Sequence, residues 1–74
     1  MKAACIIFDG PYPDQDEQGD EIPVYFVGLC DEEGDPIDEA KSYRPHNYDE
    51  GKATFDLLCK QYPHLEAVQE AMRP

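Results

Sequence analysis

Two short apolar runs set what this chain can fold into: Lys-Ala-Ala-Cys-Ile-Ile-Phe over Lys2–Phe8 and Ile-Pro-Val-Tyr-Phe-Val-Gly-Leu-Cys over Ile22–Cys30. Both are rich in residues that suit a pleated, buried surface, so both read as strands. After Lys2 the first is apolar throughout and stops at Asp9-Gly10-Pro11, which predicts a strand buried on both faces and central in its sheet. The second is followed by Asp31-Glu32-Glu33-Gly34, whose glycine suits a hairpin connection. Its partner is expected at about Pro36–Tyr43, a weaker strand whose mixed charges fit a solvent-facing edge ended by Arg44-Pro45.

Between the two runs, Gly10–Glu21 holds two prolines, a second glycine and five carboxylates around a single aromatic, Tyr12. That composition favours turns and predicts an exposed acidic loop. After the strands, Asn47-x-x-Glu50 has capping-box spacing, and Asp49 and Glu50 suit the positive end of a helix. A helix is therefore predicted from about Tyr48 to Gln61, burying Phe55, Leu58, Cys59 and Tyr62, with Gly51 weakening its first turn. Pro63 suits the first position of a second helix, in which Leu65, Val68 and Met72 recur at helical spacing. The resulting expectation is one α+β domain over residues 1–74. Its β-β-β-α-α order makes a small three-stranded antiparallel sheet with two short helices packed on one face. No internal repeat or interdomain linker stands out.

A chain of 74 residues buries only about 60% of the surface its unfolded form exposes, so its stability margin is thin. Seven prolines and a mean hydropathy of -0.71 point toward disorder, but 41% of residues are hydrophobic and they cluster in periodic runs, which favours folding. Cys5, Cys30 and Cys59 are odd in number and each lies in an apolar stretch, the pattern of buried free thiols in a reducing compartment. The apolar run ending at Phe8 is too short for a signal-peptide core, and no segment reaches the ~20 apolar residues of a membrane helix. The chain thus reads as a complete, soluble, cytoplasmic protein.

Charge is the second constraint. Seventeen acidic side chains face six basic ones, a net charge of -11. Residues 9–50 alone carry fourteen carboxylates against Lys41 and Arg44, whereas residues 51–74 are balanced. A surface that serves only solubility intersperses both signs, so this segregation favours a docking surface. The expected binding residues are Asp14, Asp16, Glu17, Asp20, Glu21, Asp31, Glu32, Glu33, Asp35, Asp38 and Glu39. Same-face residues on a strand stand about 6.7 Å apart, so carboxylates on strands and turns can form rows that a basic groove accepts in place of phosphates. In size and charge the chain resembles phage-encoded anti-restriction and anti-CRISPR inhibitors, several of which imitate DNA. That likeness implies a non-enzymatic inhibitor whose partner is a basic, nucleic-acid-binding protein or a subunit of a defence complex. Direct nucleic-acid binding is opposed by the same charge. A homodimer paired through Pro36–Tyr43 would double the acidic surface. The rival expectation is a protein–protein adaptor whose charge serves solubility.

Catalytic patterns are incomplete. Ile6-Ile7-Phe8-Asp9-Gly10 resembles the first catalytic strand of haloacid dehalogenase-type phosphatases and RNase H-like nucleases. Pro11, however, stands where the phosphatases need a second aspartate, and the nuclease pattern needs a further aspartate on a later strand. Asp9 with Glu50 could still hold Mg²⁺ as a phosphoryl-transfer remnant. Asp14-x-Asp16-x-Gln18-Gly19 opens like a calcium loop, but Tyr25 takes the place of the bidentate glutamate. Cys30, His46, Cys59 and His64 lack the short spacings of zinc sites. No cofactor is expected. Tyr25 and Tyr62 are expected at the core edge, while Tyr12, Tyr43 and Tyr48 flank the acidic segment.

Overall fold

The computed structural model describes residues 2–73. Among them are four strands, one α-helix and one 3-10 turn: β1 (Cys5–Gln15), β2 (Glu21–Cys30), the turn Glu39–Lys41, β3 (Ser42–Tyr43), α1 (Tyr48–Gln61) and β4 (Glu66–Gln69). The sheet order is β3-β2-β1-β4, antiparallel except for the β1/β4 pair, which is parallel. The architecture is α+β, but the expected three-stranded antiparallel sheet with two helices gives way to a four-stranded mixed sheet with one helix.

Each departure has a physical cause. The expected acidic loop over residues 10–21 is instead the outer half of a long hairpin, because β1 runs on to Gln15 and β2 starts at Glu21. Prolines are tolerated there because Pro13 and Pro23 face each other. Two residues without N–H groups can share a position that exchanges no ladder bonds. A bulge between Asp9 and Tyr12 shifts the register at the inner end of this arm. The expected strand Pro36–Tyr43 shrinks to a bridge from Pro36 to Cys30, the 3-10 turn and the two residues of β3. Asp38 causes the break, since its Oδ1 accepts the Ala40 N–H at 3.0 Å and starts the turn. The edge expected to pair across a dimer is therefore two residues long.

The expected second helix is β4. Pro63 follows the C-cap Tyr62, where proline stops α1 and does not begin a new helix. The chain after it lies beside β1, pairing Cys5 with Glu66 through Phe8 with Gln69. It continues with Glu70 and Ala71 N–H groups donating to Phe8 O at 2.8 and 3.0 Å. Satisfying the second edge of a buried central strand outweighs the weak helical spacing of Leu65, Val68 and Met72. As expected, β1 is central, but it is buried on one face and not on both: α1 covers Ile6 and Phe8, while Ile7 on the opposite face is half-buried.

α1 spans the expected residues. The Asn47 side chain accepts the Glu50 N–H at 2.8 Å and donates to Glu50 Oε2 at 3.3 Å, closing the capping box. The helix covers one face of the sheet, burying Phe55 and Leu58 against Ile6, Phe8, Tyr25, Val27 and Leu29. Phe8 is the hub, its ring 5.9 Å from Tyr25, 5.3 Å from Tyr48 and 5.7 Å from Phe55. Tyr25, expected at the core edge, is 1% exposed, and Tyr48 packs on the core from the first turn of α1. Gly51 is what lets α1 approach so closely: a Cβ there would stand 2.6 Å from Phe8 Cε1 and 3.3 Å from Pro45 Cγ. Gly51→Ala should gain about 1 kcal/mol of helix propensity and lose about 1–3 kcal/mol to overpacking. A melting temperature several degrees lower is expected; a higher one would show that Phe8 can yield.

Candidate functional site

The eleven carboxylates expected to bind do not form one row. All but the half-buried Asp31 are exposed, and most gather at the two ends of β2. There the same pentapeptide pattern occurs twice, as Asp16-Glu17-Gln18-Gly19-Asp20 and Asp31-Glu32-Glu33-Gly34-Asp35. The two segments fold alike. Asp16 Oδ1 accepts the Gln18 and Asp20 N–H groups at 2.9 Å, and Asp31 Oδ1 accepts those of Glu33 and Asp35 at 2.9 and 3.0 Å. The Gly19 and Gly34 N–H groups donate to Asp16 O and Asp31 O, each at 3.0 Å, with φ of +85° and +88°. Each is a three-residue hairpin loop whose glycine takes the left-handed position. At five residues the pattern is a repeated turn and lies far below the 20–50-residue periods of repeat architectures.

The roles of the carboxylates therefore divide. Asp16, Asp31 and Asp38 build turns, and Asp14 Oδ1 accepts the Gln15 N–H at 2.9 Å. Among the described residues, the side chains of Glu17, Asp20, Glu21, Glu32, Glu33, Asp35 and Glu39 make no hydrogen bond or ion pair and project as free charge. The molecule measures 40 × 22 × 18 Å. β2 separates the acidic turns by about 30 Å at 3.3 Å per residue.

Asp9 lies in register with Phe26, on the face of the sheet away from α1, so it shares no site with Glu50 in the first turn of the helix. The expectation of a joint Mg²⁺ site on these two residues is thereby corrected. The described residues contain no group of three or more His, Cys, Asp or Glu placed to hold a metal ion. His46 Nδ1 lies 3.1 Å from Pro23 O, and the His64 ring is 6.4 Å from that of Tyr62, on different parts of the surface.

Cys5 and Cys30 face each other across β1 and β2, both buried as free thiols, while Cys59 is half-buried on α1. Desolvation pushes the Cys30 thiol up to about 11, with Cys5 and the Asp31 and Asp35 carboxylates adding to it. Burial likewise raises Cys5, followed by Glu66 and Asp31. These thiols stay protonated at neutral pH and are poor nucleophiles. Because the folded value of Cys30 lies above the ordinary 9.0, its contribution to stability is complete below pH 9 and is lost as pH rises toward about 11. Denaturant titrations should show a falling midpoint across that window, and Cys30→Ser should flatten the fall. An unchanged slope in the variant would contradict the assignment.

What the sequence reading missed is on the open face of the sheet. There Ile7, Val24 and Phe26 are half-buried beside Asp9 and Tyr12, and the Arg44 guanidinium lies 4.7 Å over the Phe26 ring. The signal was present in the alternation Ile22, Val24, Phe26, but a strand apolar on both faces hides which face stays open. No helix among the described residues is long and apolar enough to cross a membrane. Compared with protein-family models, curated proteins and solved structures, the chain has no match.

Proposed function

We propose that the protein is a non-enzymatic, cytoplasmic inhibitor that presents carboxylates to the Lys/Arg-rich surface of a nucleic-acid-binding partner, such as a subunit of a defence nuclease complex. The observation that supports this reading is the repeated turn. One acidic five-residue pattern, with the same backbone bonds, stands at both ends of β2 and leaves its glutamates free. The separation of about 30 Å approaches the ~34–36 Å of one duplex turn, so the two ends could occupy phosphate-binding patches one helical turn apart. Fixed turns also reduce the ordering cost of bringing like charges to a partner.

Competition tests this reading. A partner retained at low salt should be released by added salt and displaced by duplex DNA, because both compete for the same cationic surface. A partner that withstands both would instead identify an adaptor that binds through apolar contact, with the charge serving solubility.

A further inference from the structure

The open face of the sheet holds a groove of about 320 Å³, floored by Ile7, Val24 and Phe26 and walled by Asp9, Tyr12 and Arg44. Asp9 is half-buried there. Its Oδ1 accepts the Gly10 N–H at 2.8 Å and its other oxygen accepts the Tyr12 hydroxyl, so the carboxylate is fixed in place. Yet it has no cation: the ion pairs among the described residues are Lys52–Asp56 and Arg73–Asp49, and Arg44 is held over Phe26. At one end the acidic turn Asp31–Asp35 reaches the groove, where a Cβ on Gly34 would stand 3.8 Å from Ile7 Cδ1. The groove therefore combines an apolar floor, one oriented carboxylate, an exposed aromatic in Tyr12 and an acidic rim.

We infer that this groove receives an arginine side chain of the partner, its aliphatic stem along Ile7 and Val24 and its guanidinium against Asp9 and the Tyr12 ring. Arg44 is committed to the Phe26 ring, and Asp9 with the four carboxylates of the Asp31–Asp35 turn outweighs it, so charge complementarity selects a cation. The apolar floor selects a long aliphatic stem, and the aromatic wall favours a planar guanidinium over an ammonium. A second copy of this chain is disfavoured by its net charge of -11. The inference rests on the basic partner proposed above and gives that interface an anchor between its two acidic ends.

Amide NMR titration of the protein with a blocked nine-residue arginine peptide, and with the matching lysine peptide, tests it. Saturable shifts are expected at Ile7, Asp9, Val24 and Phe26 with the arginine peptide, weakened about two- to fivefold by Asp9→Asn, as for loss of one partly exposed ion pair. The wild-type shifts decide the matter by themselves should that variant fail to fold. Shifts confined to residues 16–20 and 31–35 would overturn the groove and leave the acidic ends standing. Shifts in the groove without any at those turns would overturn the acidic reading, an equal response to lysine would overturn the arginine assignment, and no response anywhere would overturn both.

Discussion

Phe8→Ala should abolish cooperative folding or lower the melting temperature by at least about 12 °C. Truncating a buried phenylalanine costs about 3–5 kcal/mol, and a chain of this length has only about 4–11 kcal/mol in total. Each kcal/mol corresponds to roughly 4–8 °C in a domain this small. Phe8 is fully buried and touches the rings of Tyr25, Tyr48 and Phe55, so no neighbour can fill the space without giving up its own partner. Leu57→Ala, at a position 55% exposed, is the control and should change stability by less than about 0.5 kcal/mol. A Phe8→Ala melt within a few degrees of wild type would mean that the four-ring cluster is not the core.

Reversing Glu17, Asp20, Glu32 and Glu33 to lysine should weaken partner binding by at least about tenfold while leaving the melt nearly unchanged. Each lost surface pair contributes about 0.2–1 kcal/mol and each reversal adds comparable repulsion, while 1.4 kcal/mol is a factor of ten. These four are chosen because their side chains carry no bond in the turns, whereas Asp16 and Asp31 each hold two backbone N–H groups. Reversing Asp31 would confound loss of charge with loss of the turn. Unchanged affinity in the quadruple variant would remove the acidic ends from the interface.

The parts legible in the sequence are those decided locally. The capping box at Asn47–Glu50 and the stripe of Phe55 and Leu58 specify α1 residue for residue, because both signals lie within one element. The central place of β1 follows from its apolar run, which suits a strand paired on both sides, although α1 covers only one of its faces. What was not legible depends on partners far away in sequence. Leu65, Val68 and Met72 keep helical spacing, yet the unpaired edge of β1 draws that segment into β4. The Gly10–Glu21 segment has loop composition, yet its Pro13 falls opposite Pro23 of β2 and lets the hairpin continue. The acidic residues were readable as a segment, but their division into two like turns at opposite ends of β2 appears only once that strand is laid out. Asp9 and Tyr12 meet because a bulge re-aims them, which spacing alone does not reveal.

In the proposed interface the two acidic ends occupy a cationic surface made for nucleic acid. The most direct test is capture from a host lysate on the immobilised protein at low salt, followed by elution first with duplex DNA and then with high salt, with the quadruple lysine variant run alongside. The expected result is a basic nucleic-acid-binding protein that DNA displaces and the variant does not retain. A partner that survives both eluents, or one held equally by the variant, would contradict it.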